Sequence, residues 1–207
     1  MPSYFSIEMT FPYKALNNTF VREFYSILFN TFPYKSGYWN SENNTLEEIT
    51  TWNQKHLENK FILGCNEHVN NDYKQILLLS NSHSEIRHFW RYRKNEIHSS
   101  LIIPEIDVLV EENKWRFKAE SFEQIKDLCK HIWEISSVYT LQSCLELDGG
   151  SIDTNNIKKG EPPSINPISI INQEMFEKIK SLKETLEITK IGRQGIMIVD
   201  RELIEKL

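Results

Sequence analysis

Strict alternation of apolar and polar residues marks the segment 3–11. The apolar residues at every second position would share one face: Phe5, Ile7, Met9 and Phe11. A period of two residues is typical of a β-strand with one buried face and one wet face. We therefore predict a half-buried strand in this segment.

Two further segments repeat apolar residues every three to four positions, as amphipathic helices do. One spans residues 20–32 and should end before Pro33, since the residue before a proline disfavours helical backbone. The other runs from about residue 45 to 58. Two pairs of residues have the spacing of a capping box and predict the start of this helix and of a third one: Thr45 with Glu48, and Ser121 with Gln124.

The middle of the chain changes to strand-like periods. Six segments are predicted as short strands: 61–65, 74–80, 85–93, 98–103, 105–110 and 115–118. A longer strand is predicted at 138–147. Consecutive short strands with turn residues between them favour an antiparallel meander.

The segment 148–167 differs in composition, because it holds Gly149, Gly150, Gly160 and the pair Pro162-Pro163 but few large apolar residues. We predict a flexible loop or linker there. Residues 1–147 would form an α+β core, and residues 168–207 would add a helix capped by Asn172 and a β-hairpin. We expect both parts to pack as one domain.

Strands and helices come in runs, so the sequence predicts the α+β class: an antiparallel sheet packed by amphipathic helices on one face. No run approaches the ~20 apolar residues of a membrane span, and no signal peptide is evident. The cysteines Cys65, Cys129 and Cys144 have no tight spacing and are interpreted as reduced thiols. Together these features predict a cytoplasmic protein without a membrane partner.

The net charge and the absence of known motifs exclude several classes of function. The net charge of −5 over 207 residues argues against a dedicated nucleic-acid binder. The chain has no phosphate-binding glycine loop, metalloprotease helix, Cys-x-x-Cys or nucleophile elbow. The five-residue gap between His83 and His88 matches neither a helix face nor a strand face. We therefore predict neither a cofactor nor a metal.

The segment 87–94 interleaves cations with aromatic residues, and Arg87, Arg91 and Arg93 would lie on one strand face. This pattern fits a strand with one aromatic core face and one solvated cationic face. It also fits a contact surface for an acidic protein or a membrane. A single-stranded nucleic acid is a further alternative, since it needs cations for phosphates and rings for bases.

Two other groups are candidate contacts. Tyr34, Tyr38 and Trp39 fall in a predicted loop, where exposed aromatic side chains would anchor an interface unless they fold back over the core. The carboxylates of Glu105, Asp107 and Glu111 would form a stripe on one strand face. Such a stripe is usually a solvated face, although carboxylates can also hold a metal, act as acid or base, or steer a basic partner.

An enzyme with a dispersed site is the alternative to a binding protein. Asp148 at the end of a strand, His88 and Glu105 are the acid–base candidates. A deep pocket lined by these groups with shifted pKa values would favour catalysis.

The layout resembles a known family in three parts: the opening strand with its amphipathic helix, the aromatic meander around Trp90, and the closing strand 195–200. It is similar to the bacterial immunity proteins that are paired with polymorphic or type VI secreted toxins, in particular to the immunity-52-like group. The resemblance implies a cytosolic, non-enzymatic protein that binds a cognate toxin and covers its active site. It implies no site residues.

Overall fold

The structure is a computed structural model that describes residues 3–63, 72–110, 113–135 and 137–206. Within these ranges the strands are β1 (Tyr4–Pro12), β2 (Tyr34–Gly37), β3 (Ile76–Leu78), β4 (Ile86–Arg93), β5 (Glu96–Pro104), β6 (Leu109–Val110), β7 (Asn113–Phe117), β8 (Thr140–Leu145), β9 (Ile168–Asn172), β10 (Leu186–Ile191) and β11 (Gly195–Asp200). The α-helices are α1 (Phe20–Thr31), α2 (Leu46–Glu58), α3 (Glu105–Val108), α4 (Ala119–Trp133), α5 (Thr154–Ile157) and α6 (Gln173–Phe176).

Nine of the described strands form one sheet in the order β10-β11-β9-β8-β1-β5-β4-β3-β2. Every neighbouring pair in it is antiparallel. The predicted α+β class with an antiparallel sheet is therefore confirmed. The meander covers β2 to β5 only, because β1 inserts between β5 and β8 at the centre of the sheet. Strands β6 and β7 form a separate two-stranded sheet.

The long helices α1, α2 and α4 bury one face of the sheet, which we call the helix face. All four apolar side chains predicted to face inward from β1 are fully buried there. Trp90 lies in the centre of this core. Its ring contacts those of Phe24 at 4.7 Å and Phe20 at 5.6 Å, and its Nε1 donates a hydrogen bond to the Tyr25 hydroxyl at 3.1 Å.

Among the described residues, those that cover the second face of the sheet lie over its β8, β9 and β11 side. A smaller apolar cluster fills that half beneath α5 and α6: Ile157, Ile171, Met175, Ile196 and Ile198. Over β1, β5 and β4 the same face carries polar and aromatic side chains. The two short helices were not expected on this face.

The segment 148–167, predicted as a flexible loop, contains α5 and encloses the side chain of Gln142. The Gln142 amide accepts hydrogen bonds from the backbone N–H groups of Ile152 and Ser164 and donates one to the Ile152 carbonyl. Gln142 is 1% exposed, so these bonds satisfy a buried amide. The flexibility of the segment and the division of the chain at 148 and 167 stay predictions.

Four local predictions are wrong, at least in part. The segment 105–110 is not one strand, because residues 105–108 form α3 and only Leu109 and Val110 are in a strand, β6. Helix α3 begins after Pro104, where the Glu105 N–H donates a hydrogen bond to the Ser3 carbonyl at 2.9 Å, and Ile106 is 71% exposed. The segment 34–44, which contains Tyr34, Tyr38 and Trp39 and is predicted as a loop, is not a loop throughout, since it holds β2 and a one-turn 3₁₀ helix at Trp39–Ser41. Helix α4 begins at Ala119, two residues before the predicted cap Ser121. Residues 61–63 are not in a strand, and 64–65 lie outside the described residues.

The remaining predictions at the carboxyl end agree with the structure. Asn172 caps α6 by accepting a hydrogen bond from the Met175 N–H at 2.8 Å, although α6 is a single turn. Strands β10 and β11 form the predicted hairpin. Strand β9 was not predicted. Within the described ranges, none of the helices has the length and apolar character that crossing a membrane requires.

Candidate functional site

The candidate site is the part of the second sheet face that the described residues leave uncovered, and we call it the open face. Cross-strand pairing places its side chains together, because directly opposed residues point to the same side of a sheet. Glu8 lies opposite Ser100, Ser100 opposite Phe89, and Arg91 opposite His98. Besides Ser6 and Ile102, the open face includes Tyr4, Glu8, Tyr38, Arg87, Phe89, Arg91 and Ser100.

Arg87 is held between two aromatic rings. Its guanidinium carbon lies 4.7 Å from the ring centroid of Tyr4 and 4.8 Å from that of Tyr38. A carboxylate oxygen of Glu85 lies 2.9 Å from the Arg87 Nε and forms an ion pair with it. The Nε–H does not point at that carboxylate, so this N–H donates no hydrogen bond to Glu85. Only 14% of the Arg87 side chain is exposed. The stack fixes the side chain, so little conformational entropy remains to be lost on binding.

Arg91 belongs to a three-residue network. Its terminal nitrogen donates hydrogen bonds to the Glu8 carboxylate at 2.7 Å and to the Ser100 hydroxyl at 2.9 Å, and the Ser100 hydroxyl donates to the same Glu8 oxygen at 2.7 Å. Its guanidinium also lies 5.4 Å from the Phe89 ring centroid. Charge-assisted bonds of this kind are about twice as strong as neutral ones, and they orient the exposed part of Arg91.

Trp39 stands beside the open face with 71% of its surface exposed. Its backbone has a φ of +55°, a left-handed conformation that is uncommon for a tryptophan. Together with Tyr38, Leu63 and Phe89 it lines a largely apolar cavity of about 220 Å³. A strained, exposed aromatic residue next to an apolar cavity is an arrangement found at contact sites.

The structure thus brings together five of the nine predicted contact residues. Tyr38, Arg87 and Arg91 lie on the open face, Trp39 lies at its edge, and Arg93 is exposed at the end of β4. Tyr34 does not join them, because its ring packs on Phe29, 5.8 Å away, beside the helix-face core.

The predicted acidic stripe does not form. Glu105 accepts a hydrogen bond from the Glu146 N–H at 3.1 Å at the end of the sheet. Asp107 instead accepts bonds from the N–H and the hydroxyl of Ser84, both at 2.7 Å. Both carboxylates therefore stabilise loops, and Glu111 lies outside the described residues.

The three acid–base candidates do not converge. His88 is fully buried on the helix face, where its Nε2 bonds the Ser99 hydroxyl at 2.7 Å, whereas Glu105 is on the short helix α3 and Asp148 is in a turn after β8. Burial lowers the pKa of His88 to about 3, so the ring is neutral at pH 7.

Within the described ranges, no three His, Cys, Asp or Glu side chains cluster as metal ligands would.

The buried neutral histidine makes stability depend on pH. In the unfolded chain His88 titrates near its ordinary pKa of 6.5, so below that pH the unfolded state binds a proton that the folded state does not. We expect His88 to lower the free energy of unfolding by about 1.4 kcal/mol between pH 7.5 and pH 5.5. Urea unfolding at both pH values measures this. His88→Gln should remove that share of the pH dependence, whereas His131→Gln, at an exposed position on α4, serves as the matched control.

Several residues of the site were not predicted as contacts. Tyr4, Glu8 and Ser100 lie on strands whose alternation was recognised, but their closeness to Arg87 and Arg91 follows from the pairing of β1 with β5 and of β5 with β4. The sequence shows which residues lie on the solvent-facing side of each strand. It does not show the order of the strands in the sheet, which decides which of these residues become neighbours.

Comparison of the chain with protein-family models, with curated proteins and with solved structures found no match.

Proposed function

We propose that the chain binds another protein through the open face and Trp39. In its most specific form, the proposal is that it is a bacterial immunity protein that neutralises a cognate toxin by covering the toxin's active site. The observation that carries it is that the described residues cover the second face of the sheet unevenly. The covered half of the second face is apolar, whereas the uncovered half presents tyrosine, phenylalanine and arginine side chains.

The composition of the open face supports a protein partner. Tyrosine, tryptophan and arginine dominate the residues that carry most of the binding energy in protein interfaces. Here Arg87 is already stacked and Arg91 already bonded before any partner arrives. Prior ordering of this kind reduces the cost of association.

The charges on the open face fit a protein better than a nucleic acid. Glu85 pairs with Arg87, and Glu8 pairs with Arg91, so much of the positive charge is balanced locally. Phosphate binding relies on cations that release counterions, and carboxylates beside them oppose it. A mixed surface with fixed charge positions instead selects one complementary partner.

The test is co-expression with the product of the adjacent gene, followed by purification of the complex and titration calorimetry. The expected result is a one-to-one complex and protection from a product that is toxic alone. Trp39→Ala should raise the dissociation constant about 30-fold or more, as the loss of a tryptophan anchor does. A triple variant of Trp39, Phe89 and Arg91 to alanine should abolish the complex.

Arg22→Ala is the matched control, since Arg22 is 65% exposed on α1 and lies away from the open face. It should leave the dissociation constant unchanged. A complex that survives the triple variant would disprove the assignment of the open face. No complex with the adjacent gene product would disprove the immunity assignment.

A further inference from the structure

A second cavity, of about 240 Å³, lies where the β4–β5 turn meets the chain just before α5. Arg91, Arg93 and Lys94 line it from the turn side, and Asp153 lines it from the other. His98 and Thr10 also contribute to its wall. The proposed protein-binding function does not assign a role to this cavity.

The basic side chains that line the cavity carry more hydrogen-bond donors than the described contacts use. An arginine carries five N–H donors and a lysine three. Arg91 uses one terminal nitrogen for Glu8 and Ser100, and Lys94 makes one bond to Asp153 at 2.7 Å. The exposed Arg93 guanidinium has no hydrogen-bond or ion-pair partner among the described residues. Both Asp153 oxygens are occupied, by Lys94 and by the Asn155 N–H.

The positive charge also acts on the titratable groups of the wall. Burial is the main cause that lowers the pKa of His98 to about 4, and the neighbouring charges of Arg91 and Arg93 lower it further. The hydrogen bond from Lys94 holds the pKa of Asp153 below its ordinary value, and the charges of Lys94 and Arg93 add to this effect. His98 is therefore neutral at pH 7 and Asp153 is ionised.

The backbone conformation of the β4–β5 turn and the hydrogen bonds of Ile152 hold the two walls of the cavity in place. Lys94 and Asn95 have φ values of +51° and +61°, the paired left-handed conformation of a tight two-residue hairpin turn. Opposite the turn, the backbone of Ile152 is tied to the buried Gln142 amide at both its N–H and its carbonyl. The Lys94–Asp153 bond then joins the two walls.

We propose that this cavity binds a small oxyanion, with Arg93 as the main contact and Arg91 and Lys94 in support. The planar guanidinium of Arg93 presents two parallel donors that match the two oxygens of a carboxylate. The oxyanion could be a free organic acid or an acidic side chain of a protein, and the two sources share this chemistry. The inference goes beyond the proposed function and does not depend on it.

The test titrates the full chain, without any partner, with two probes at constant ionic strength. Sodium succinate represents a free organic acid, and an acetylated Gly-Glu-Gly amide represents an acidic side chain. Two-dimensional ¹H–¹⁵N spectra should show saturable shifts of the amides of residues 93–95 and 151–154 with at least one probe. The probe that binds more tightly identifies the source.

Three variants make the test specific. Arg93→Gln should weaken binding about tenfold or more, because charge-assisted bonds are lost. Asp153→Asn should strengthen it, since the amide keeps an oxygen for the Asn155 N–H, removes a negative charge and releases Lys94. Arg22→Gln should change nothing. Shifts equal to those from sodium chloride, or shifts that persist in Arg93→Gln, would overturn the proposal. Because no partner is present, failure here is distinct from failure of the proposed function.

Discussion

Replacing Trp90 with alanine is expected to lower the free energy of unfolding by about 3–5 kcal/mol. The side chain is fully buried and lies among the rings of Phe11, Phe20, Phe24, Tyr25 and His88. Alanine would leave a large cavity at the place where α1 packs on β4. It would also remove the donor that bonds the buried Tyr25 hydroxyl. Urea denaturation followed by circular dichroism measures the loss.

Trp39→Ala is the matched control, because it removes the same side chain from an exposed position. We expect it to change stability by no more than about 0.5 kcal/mol, which is typical of a surface substitution. The two tryptophans therefore separate folding from binding: Trp90→Ala should affect mainly stability, and Trp39→Ala mainly association. Similar losses of stability in both variants would mean that Trp39 packs on the fold more closely than its exposure indicates.

Gly160→Ala is expected to lower the free energy of unfolding by about 2–4 kcal/mol, from backbone strain and overpacking together. Gly160 has a φ of +99°, which L-residues rarely adopt, and a Cβ atom there would lie 2.4 Å from the Lys178 carbonyl oxygen. This close approach joins the end of α5 to the chain that follows α6. We expect the small apolar cluster on the second face to loosen as a result.

Gly149→Ala measures the cost of backbone strain without overpacking. Gly149 has a φ of +84°, but a Cβ atom there would have no atom of the described residues within 4 Å beyond its own chain neighbours. The substitution should cost only about 1 kcal/mol. Thermal and urea unfolding of both variants measure the difference. Equal losses would show that the Lys178 backbone moves aside and that the contact at Gly160 adds nothing.

Local pattern was sufficient wherever one face of an element is buried. The alternation in β1 identified the four side chains that it buries in the helix-face core, and the four-residue spacing in α1 identified the helix that packs on them. It failed where long-range pairing decides the structure. The residues of β2 contain no clear alternation and become a strand because β3 pairs with them. Strand β9 likewise depends on its position between β8 and β11.

The prediction of a strand at 105–110 was wrong for another reason. Its alternation is real, but Pro104 and the hydrogen bond from the Glu105 N–H to Ser3 turn the chain out of the sheet. The prediction of a carboxylate stripe failed with it. The register of β4 agrees with the prediction that Arg87, Arg91 and Arg93 share a side, because the alternation alone determines this. Whether another segment covers that side could not be deduced, since this depends on how 148–182 crosses the sheet.

The central position of β1 has a consequence for the order of folding. Glu8 bonds Ser100, 92 residues later, and Tyr4 bonds Glu146, 142 residues later. During synthesis the apolar side of β1 therefore emerges long before either neighbouring strand exists. Closing such long loops is slow, and an unpaired strand with one apolar face is prone to aggregate. We expect nascent chains that stop before β8 to need protection by chaperones, since their sheet would end at β1.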